Sequence, residues 1–359
     1  MLETEPLGLA QARLRHHLEM QSLIIEETVN AYSRWPLHVS GGDVRANRIW
    51  YELPLETIPL PTKAIESDLQ EKLGVMTQVI QDEGWLRVTV ERPSPPVDLL
   101  TLMQQYKIPA SGALTAVLGL DSLGIPVQLD LTRAGHVLIV GGAASGKTAL
   151  LQTIAVSLAL ANPPERLQFL AIQPDEKGGL KLLDSLPGGF LPRPVITSPV
   201  TAVPALQTLA NHLENRPVPT NGQSVRGPHL VVLLEQVERL LAAGFSLLEP
   251  LVRLLGTGGR ISLLVSTQQP ENELLRYCSD RWGTRLVGQV PDARQAEAAA
   301  GQPFSRAEQL LGDGAFLLLR QRRSRPHYFQ AAFADRYDLS FLARQKNRLT
   351  PSQLANSLF

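Results

Sequence analysis

The strongest chemical signal in the chain is the octapeptide GGAASGKT, Gly141 to Thr148, which satisfies the spacing G-x-x-x-x-G-K-[ST]. Glycines at 141, 142 and 146 let the backbone turn its amides inward around phosphate oxygens, and a helix opening there adds the positive end of its dipole. The expected phosphate cradle comprises Gly141, Gly142, Ala143, Ala144, Ser145, Gly146, Lys147, Thr148 and Ala149. Lys147 would reach the β and γ phosphates and the Thr148 hydroxyl would ligate magnesium, so the loop asks for ATP and Mg2+. A glycine-rich turn with a fortuitous lysine is the bland alternative. Context weighs against it, because the strand-like run HVLIV leads directly into the loop and the helical stretch KTALLQTIAVSLALA leads out.

A phosphate loop that hydrolyses its nucleotide also needs carboxylates at a neighbouring strand end, one for the metal's waters and one for the attacking water. PHLVVLLEQ, Pro228 to Gln236, is the candidate strand. The usual Asp position is read as Leu234, which cannot accept a hydrogen bond from metal-bound water. That leaves Glu235 both to steady the metal and to orient water, with slow turnover as the consequence. A solvated strand-end carboxylate is the competing reading of Glu235. The single cysteine, Cys278, excludes an internal disulfide and a thiolate metal cluster and reads as a small buried hydrophobe.

These groups must be positioned by a sizeable fold, since 359 residues at about 150 per domain suggest about two domains. Hydrophobic residues make up 44% and charged residues 19%, which excludes a disordered chain; aromatics at 5% argue against base-stacking platforms. Lys plus Arg and Asp plus Glu both number 34, so bulk charge does not advertise nucleic acid. The dense basic run is RQRRSRPH, Arg320 to His327, either a stripe for DNA or a solvated hairpin. The N-terminus has no signal-peptide core, and no apolar stretch reaches the roughly 18 to 20 residues of a membrane span. A soluble cytoplasmic protein is expected.

Leu14, Leu18, Ile25, Val29 and Tyr32 share one helix face, for packing or oligomer contact, and Trp35 and Pro36 end that helix. SGGDV at Ser40 to Val44 reads as loop. IWYEL and LRVTVE read as strands with the helical AIESDLQEKLGV between them, a small α+β module closed by PSPP at Pro93 to Pro96. Further on, HVLIV, LQFLAI, HLVVLL, ISLLVST, TRLVGQV and AFLLL alternate with helical stretches. Continuous apolar strands of this kind argue a mostly parallel α/β sheet covered on both faces. The expected layout is an N-terminal helix over 1–35, the small α+β domain over 36–108, an ATPase domain over 109–345 and a tail over 346–359.

Further blocks resemble the motor of the FtsK/SpoIIIE DNA translocase family. LGLDSLGIPVQLDLTRAGHVLIVGGAASGKT, Leu118 to Thr148, is similar to the family's run from its glycine-lysine-aspartate turn into the phosphate loop. LLVSTQQP, Leu263 to Pro270, resembles its sensor strand; TRLVGQVPDAR, Thr284 to Arg294, and AEQLLGDGAFLLL, Ala307 to Leu319, resemble the strands that follow. The order holds from Leu118 to Gln345, and Ile49 to Leu102 is more weakly similar to the family's preceding small domain. The resemblance implies a RecA-like P-loop ATPase, a homo-oligomeric hexameric ring around double-stranded DNA, and ATP at subunit interfaces. It also implies that Thr267 and Gln268 sit near the γ phosphate, with Gln268 acting in catalysis beside Glu235 and Lys147.

The chain departs from the family at Leu234, at Gln269 in place of a sensor Arg, and at Gln173 before Pro174. Thr257 stands where the family has the Arg before the sensor strand; Arg260 or Arg285 could instead be a finger to a neighbour, or each an ordinary surface arginine. No membrane anchor and no winged-helix domain are expected. Two other readings stay open: a protein-export motor of the type VII secretion kind, and a non-hydrolysing nucleotide-gated scaffold.

Overall fold

Alternating apolar residues in the first ninety positions build a small antiparallel sheet, and continuous apolar runs later in the chain build a larger one. The computed structural model describes residues 7–44, 48–55, 59–91, 97–106, 114–176, 178–215, 227–242, 248–256, 260–271, 278–320 and 325–348. Two compact units result. One comprises Met1–Pro95 with the short segments Leu120–Ile125 and Tyr328–Gln330, and the other the remainder.

The smaller unit runs α1 (Leu7–Asn30), β1 (Gly41–Val44), β2 (Arg48–Pro54), α2 (Thr62–Leu73), β3 (Thr77–Asp82) and β4 (Trp85–Glu91), with sheet order β1-β2-β4-β3. Ile25 and Val29 of α1 and Ile65 and Leu69 of α2 are fully buried with Leu53, Leu86 and Val88 of the sheet. Ile25 and Val29, with Leu18 and Tyr32 beside them, are therefore core packing within this unit, while the Leu14 side chain lies outside the described residues. SGGDV, expected as loop, is an edge strand from Gly41 onward that pairs antiparallel with β2. Gly42 permits this: a Cβ there would lie 2.2 Å from the Trp50 carbonyl oxygen, so a side chain would push the strand off its partner. β3 was not foreseen, its pattern TQVIQD being short and only partly alternating.

The larger unit adds β5 (Val97–Asp98), α3 (Leu99–Gln105), β6 (Thr115–Asp121), β7 (Pro126–Asp130), α4 (Leu131–Ala134), β8 (His136–Val140) and α5 (Lys147–Ala161). There follow β9 (Leu167–Ile172), α6 (Pro199–Glu214), β10 (His229–Leu234), α7 (Val237–Ala242), α8 (Leu248–Gly256) and β11 (Ile261–Thr267). The last elements are β12 (Trp282–Val287), α9 (Ala293–Ala300), β13 (Ala315–Arg320), β14 (His327–Phe333) and α10 (Arg336–Arg348). Its ten-stranded sheet has the order β7-β6-β14-β13-β12-β8-β11-β10-β9, with β5 beside β14.

The strands from β12 to β9 are parallel, as continuous apolar runs require, whereas β13 returns antiparallel to β12. The connection over 288–314 carries α9 and is long enough for a crossover, so its length does not force the antiparallel return. Helix α5 is buried around its whole girth from Leu150 to Leu160, the mark of a helix enclosed by the fold. PSPP, Thr257 and residues 321–324 of the basic run Arg320 to His327 lie outside the described residues.

Two histidines open strands of this sheet. His229 lies 3.0 Å from the Ser262 hydroxyl through Nε2, and the Leu263 amide donates to His136 Nδ1 at 3.1 Å. Burial pushes both imidazoles down to about 4 from an ordinary 6.5, and Arg260 lowers His229 further. An unfolded chain binds these protons near pH 6.5 and the folded chain does not, so their stabilisation is complete above 6.5 and is lost as pH falls toward 4. The melting temperature is expected to drop across that window, and a His136→Gln, His229→Gln double variant should show a shallower pH slope in calorimetry.

Candidate nucleotide site

Parallel pairing brings the ends of five strands to one edge of the sheet. Val140 is in register with both Thr267 and Val287, and Leu234 with both Ile172 and Val265. The residues that follow, Gly141, Gln173, Glu235, Gln268 and Gly288, therefore emerge together, where open α/β sheets bind ligands.

The phosphate loop is pinned at its start. The Gly141 amide donates to the Thr267 carbonyl at 3.2 Å, and the Gly142 amide to the Gln289 carbonyl at 2.6 Å. Those two amides thus hold the loop to neighbouring strands, and the helix beyond supplies orphan donors. Gly146 is the N-cap and its carbonyl accepts the first intrahelical bond from Leu150 at 2.9 Å, which leaves the amides of Gly146, Lys147, Thr148 and Ala149 as the unpaired first turn. Gly146 has φ 93, and a Cβ there would meet the Gly314 backbone at 3.1 Å, so a larger residue would be strained and crowded at once. Ala143 and Ala144 are exposed, with Ala144 at φ 57 giving the loop its inward turn.

Lys147 folds back across the loop, donating to the Gly142 carbonyl at 2.6 Å with the Ser145 hydroxyl 3.4 Å away. Burial lowers its pKa, opposed by the charges of Glu238 and Glu235. The Thr148 hydroxyl donates to Glu235 Oε1 in a short hydrogen bond. Glu235 is 2% exposed, and its Oε2 has no hydrogen-bond partner among the described residues. Burial raises the Glu235 pKa, opposed by Thr148 and Lys147, while Asp175 and Glu238 raise it further.

An orphaned carboxylate oxygen on Glu235 beside the Thr148 hydroxyl suits a small hard cation. Among the described residues no group of three or more ligand side chains could cage an ion. Magnesium would thus be held largely by phosphate and water, with Thr148 and Glu235 at one side.

The geometry changes the reading of the acidic strand. Glu235, not the position before it, is the residue that reaches Thr148. Leu234 precedes it in a strand whose side chains alternate and is fully buried, so it belongs to the core on the other face. The sequence register assumed that the metal-facing position lay inside the strand, whereas it is the first residue beyond it.

Thr267 is fully buried, its hydroxyl accepting from the Gln269 amide at 3.0 Å; Gln268 is exposed and its amide donates to Glu238 at 3.2 Å. Gln173 shapes the adjoining loop, with Oε1 accepting from the Leu180 amide at 2.6 Å and Nε2 donating to the Asp175 carbonyl at 3.0 Å. Arg285 caps α9, donating to the carbonyls of Ala298 at 3.4 Å and Ala299 at 3.0 Å. Arg260 precedes β11 at the edge opposite to the loop that follows its partner β8. Cys278 is buried and free of disulfide. The sequence reading passed over Glu238 and Asp175, although a second carboxylate three residues after Glu235 was a visible signal.

The fold and loop define a P-loop ATPase architecture. Residues 100–283 match the model of the FtsK/SpoIIIE family, and the chain belongs to that family. It is 28% identical over 295 residues to the DNA translocase SftA of Bacillus subtilis (strain 168), covering 73% of this chain and 30% of that protein. It is 30% identical over 186 residues to the DNA translocase FtsK of Helicobacter pylori (strain ATCC 700392 / 26695), covering 46% and 21%. The chain thus spans less than a third of these two relatives. Among solved structures, the pCW3 conjugation coupling protein TcpA, a monomer form with ATPγS, superposes with TM-score 0.64 at 15% identity, over 91% of this chain and 99% of that one. The cytoplasmic domain of the Thermomonospora curvata type VII secretion ATPase EccC gives TM-score 0.56 at 22% identity, over 70% and 34%. Both likenesses concern the fold. No helix among the described residues is long and apolar enough to cross a membrane.

Leu234→Asp is expected to lower stability by on the order of 3 kcal/mol, because it buries a carboxylate in the core without a partner. Chemical denaturation would measure this, and the magnesium requirement of nucleotide binding should not improve.

Proposed function

We propose that this chain binds ATP with Mg2+ and hydrolyses it to drive movement along double-stranded DNA. The observation that carries the reading is the meeting of Thr148 with Glu235 beside the phosphate loop, in a chain of the FtsK/SpoIIIE family. Lys147 and the first-turn amides of α5 would bind phosphate oxygens, and Thr148 and Glu235 would orient the metal's waters. The metal supplies charge neutralisation on the phosphates when bound. The names of the curated relatives support DNA as the track.

The working assembly is a homo-oligomeric ring, most simply a hexamer, since neither Arg260 nor Arg285 is placed to complete its own chain's γ-phosphate site. Residues 109–345 would form the motor unit. The grip on DNA would rest on phosphate contacts and weaken with salt.

Lys147→Ala is expected to weaken binding of a non-hydrolysable ATP analogue by about 10- to 100-fold, the loss of a charged hydrogen bond, with the fold retained. Calorimetry and a melting curve check this. Wild-type phosphate release should rise with duplex DNA, and mass photometry with analogue and duplex should show a closed ring. Analogue binding without turnover in the presence of duplex would instead favour a nucleotide-gated scaffold.

A further inference from the structure

The carboxylate that would handle the attacking water is not where chain order puts it. Glu235 is engaged with Thr148. The next residue, Gln236, bears an amide that cannot take up a proton, and it turns through φ 49 with its backbone amide held by the Ser266 hydroxyl at 3.1 Å.

Glu238 follows in the first turn of α7. Its Oε1 accepts from the Gln268 amide at 3.2 Å, and its Oε2 is buried with no hydrogen-bond partner among the described residues. Gln268 comes directly after Thr267, whose carbonyl accepts from the Gly141 amide at 3.2 Å, so Glu238 stands where the phosphate loop begins. Its charge acts on the Lys147 ammonium ahead of that of Glu235. A buried carboxylate oxygen left unpaired is costly unless something polar is meant to meet it.

We propose that Glu238 is the catalytic carboxylate that orients and deprotonates the water attacking ATP. The proposal rests on the ATP-hydrolysing reading above. The water oxygen forms a bond to the γ phosphorus as the bond from that phosphorus to the β–γ bridging oxygen breaks, and the electron pair leaves with ADP. The water's proton passes to Glu238 and from it to the inorganic phosphate released. The Gln268 amide fixes one carboxylate oxygen and leaves the other without a protein partner among the described residues. Glu235 then keeps a single task at the metal, with Gln236 serving the backbone turn.

Glu238→Gln separates this role from a structural tie between α7 and β11, because the glutamine keeps an oxygen for the Gln268 amide and loses only the proton acceptor. It is expected to lower kcat by about 100-fold or more, with KM and the affinity for a non-hydrolysable ATP analogue within about threefold of wild type and an unchanged melting temperature. Wild-type turnover by Glu238→Gln overturns the proposal and leaves hydrolysis at this site standing. Loss of analogue binding in that variant overturns it as well, by making Glu238 a binding residue. A wild type that binds the analogue yet releases no phosphate from ATP with Mg2+ and duplex DNA overturns both readings. Should Glu238→Gln melt early, Glu238→Ala with added formate gives the same decision: restored turnover supports the proposal and its absence overturns it.

Discussion

Parallel register is the constraint on which the site depends. Five adjacent strands, β12, β8, β11, β10 and β9, run in one direction and end on the same side of the sheet. Strands covered on both faces can carry a polar side chain only where it finds a buried partner, as His229 does in Ser262. Polar chemistry is displaced to the first residue past each strand, and parallel alignment gathers those residues at one edge. Gly141, Gln173, Glu235 and Gln268 are neighbours for this reason, although nearly 130 positions separate the first from the last.

Around that edge the charges are unbalanced by design of the loop and strand ends. Glu235, Glu238 and Asp175 outnumber Lys147, and Asp175 is drawn outward to Arg239 at 3.0 Å. Burial favours the neutral form of both Lys147 and Glu235, and each helps the other to stay charged. An arriving anion with its metal would replace part of that mutual support. The start of the loop is held by backbone bonds from Gly141 and Gly142, and Lys147 adds a side-chain bond to the Gly142 carbonyl.

Arginines show how packing reassigns residues that look functional in a linear reading. Arg285 lies in a strand-like motif, yet its guanidinium satisfies the last carbonyls of α9 and crowds Gly301, where a Cβ would lie 2.9 Å from its Cζ. Helix ends leave carbonyls without partners, and a long cationic side chain from the adjacent strand is a common solution. Gln173 likewise organises the loop between β9 and the turn at Gly179, its side chain filling the space a Cβ on Gly178 would need.

By its sequence this chain already determined the phosphate loop, the apolar strands that flank it, the buried helix α5 and the family, because each is written in local spacing or contiguous apolar runs. The candidate phosphate loop could be delimited from Gly141 to Ala149 before any coordinates, but the pairing of the Gly141 and Gly142 amides with the Thr267 and Gln289 carbonyls could not. Tertiary structure decided the rest. Edge strand β1 depends on Gly42 lying against the Trp50 carbonyl, a contact between segments. The antiparallel return of β13 is a matter of pairing with β12, which apolar composition does not encode. Above all, which residue of Leu234 and Glu235 reaches Thr148 is set by where β10 ends and which face each side chain takes, and a shift of one residue exchanges core for site. Glu238 entered the site for the same reason: its carboxylate meets the Gln268 amide only because α7 packs back onto the end of β11.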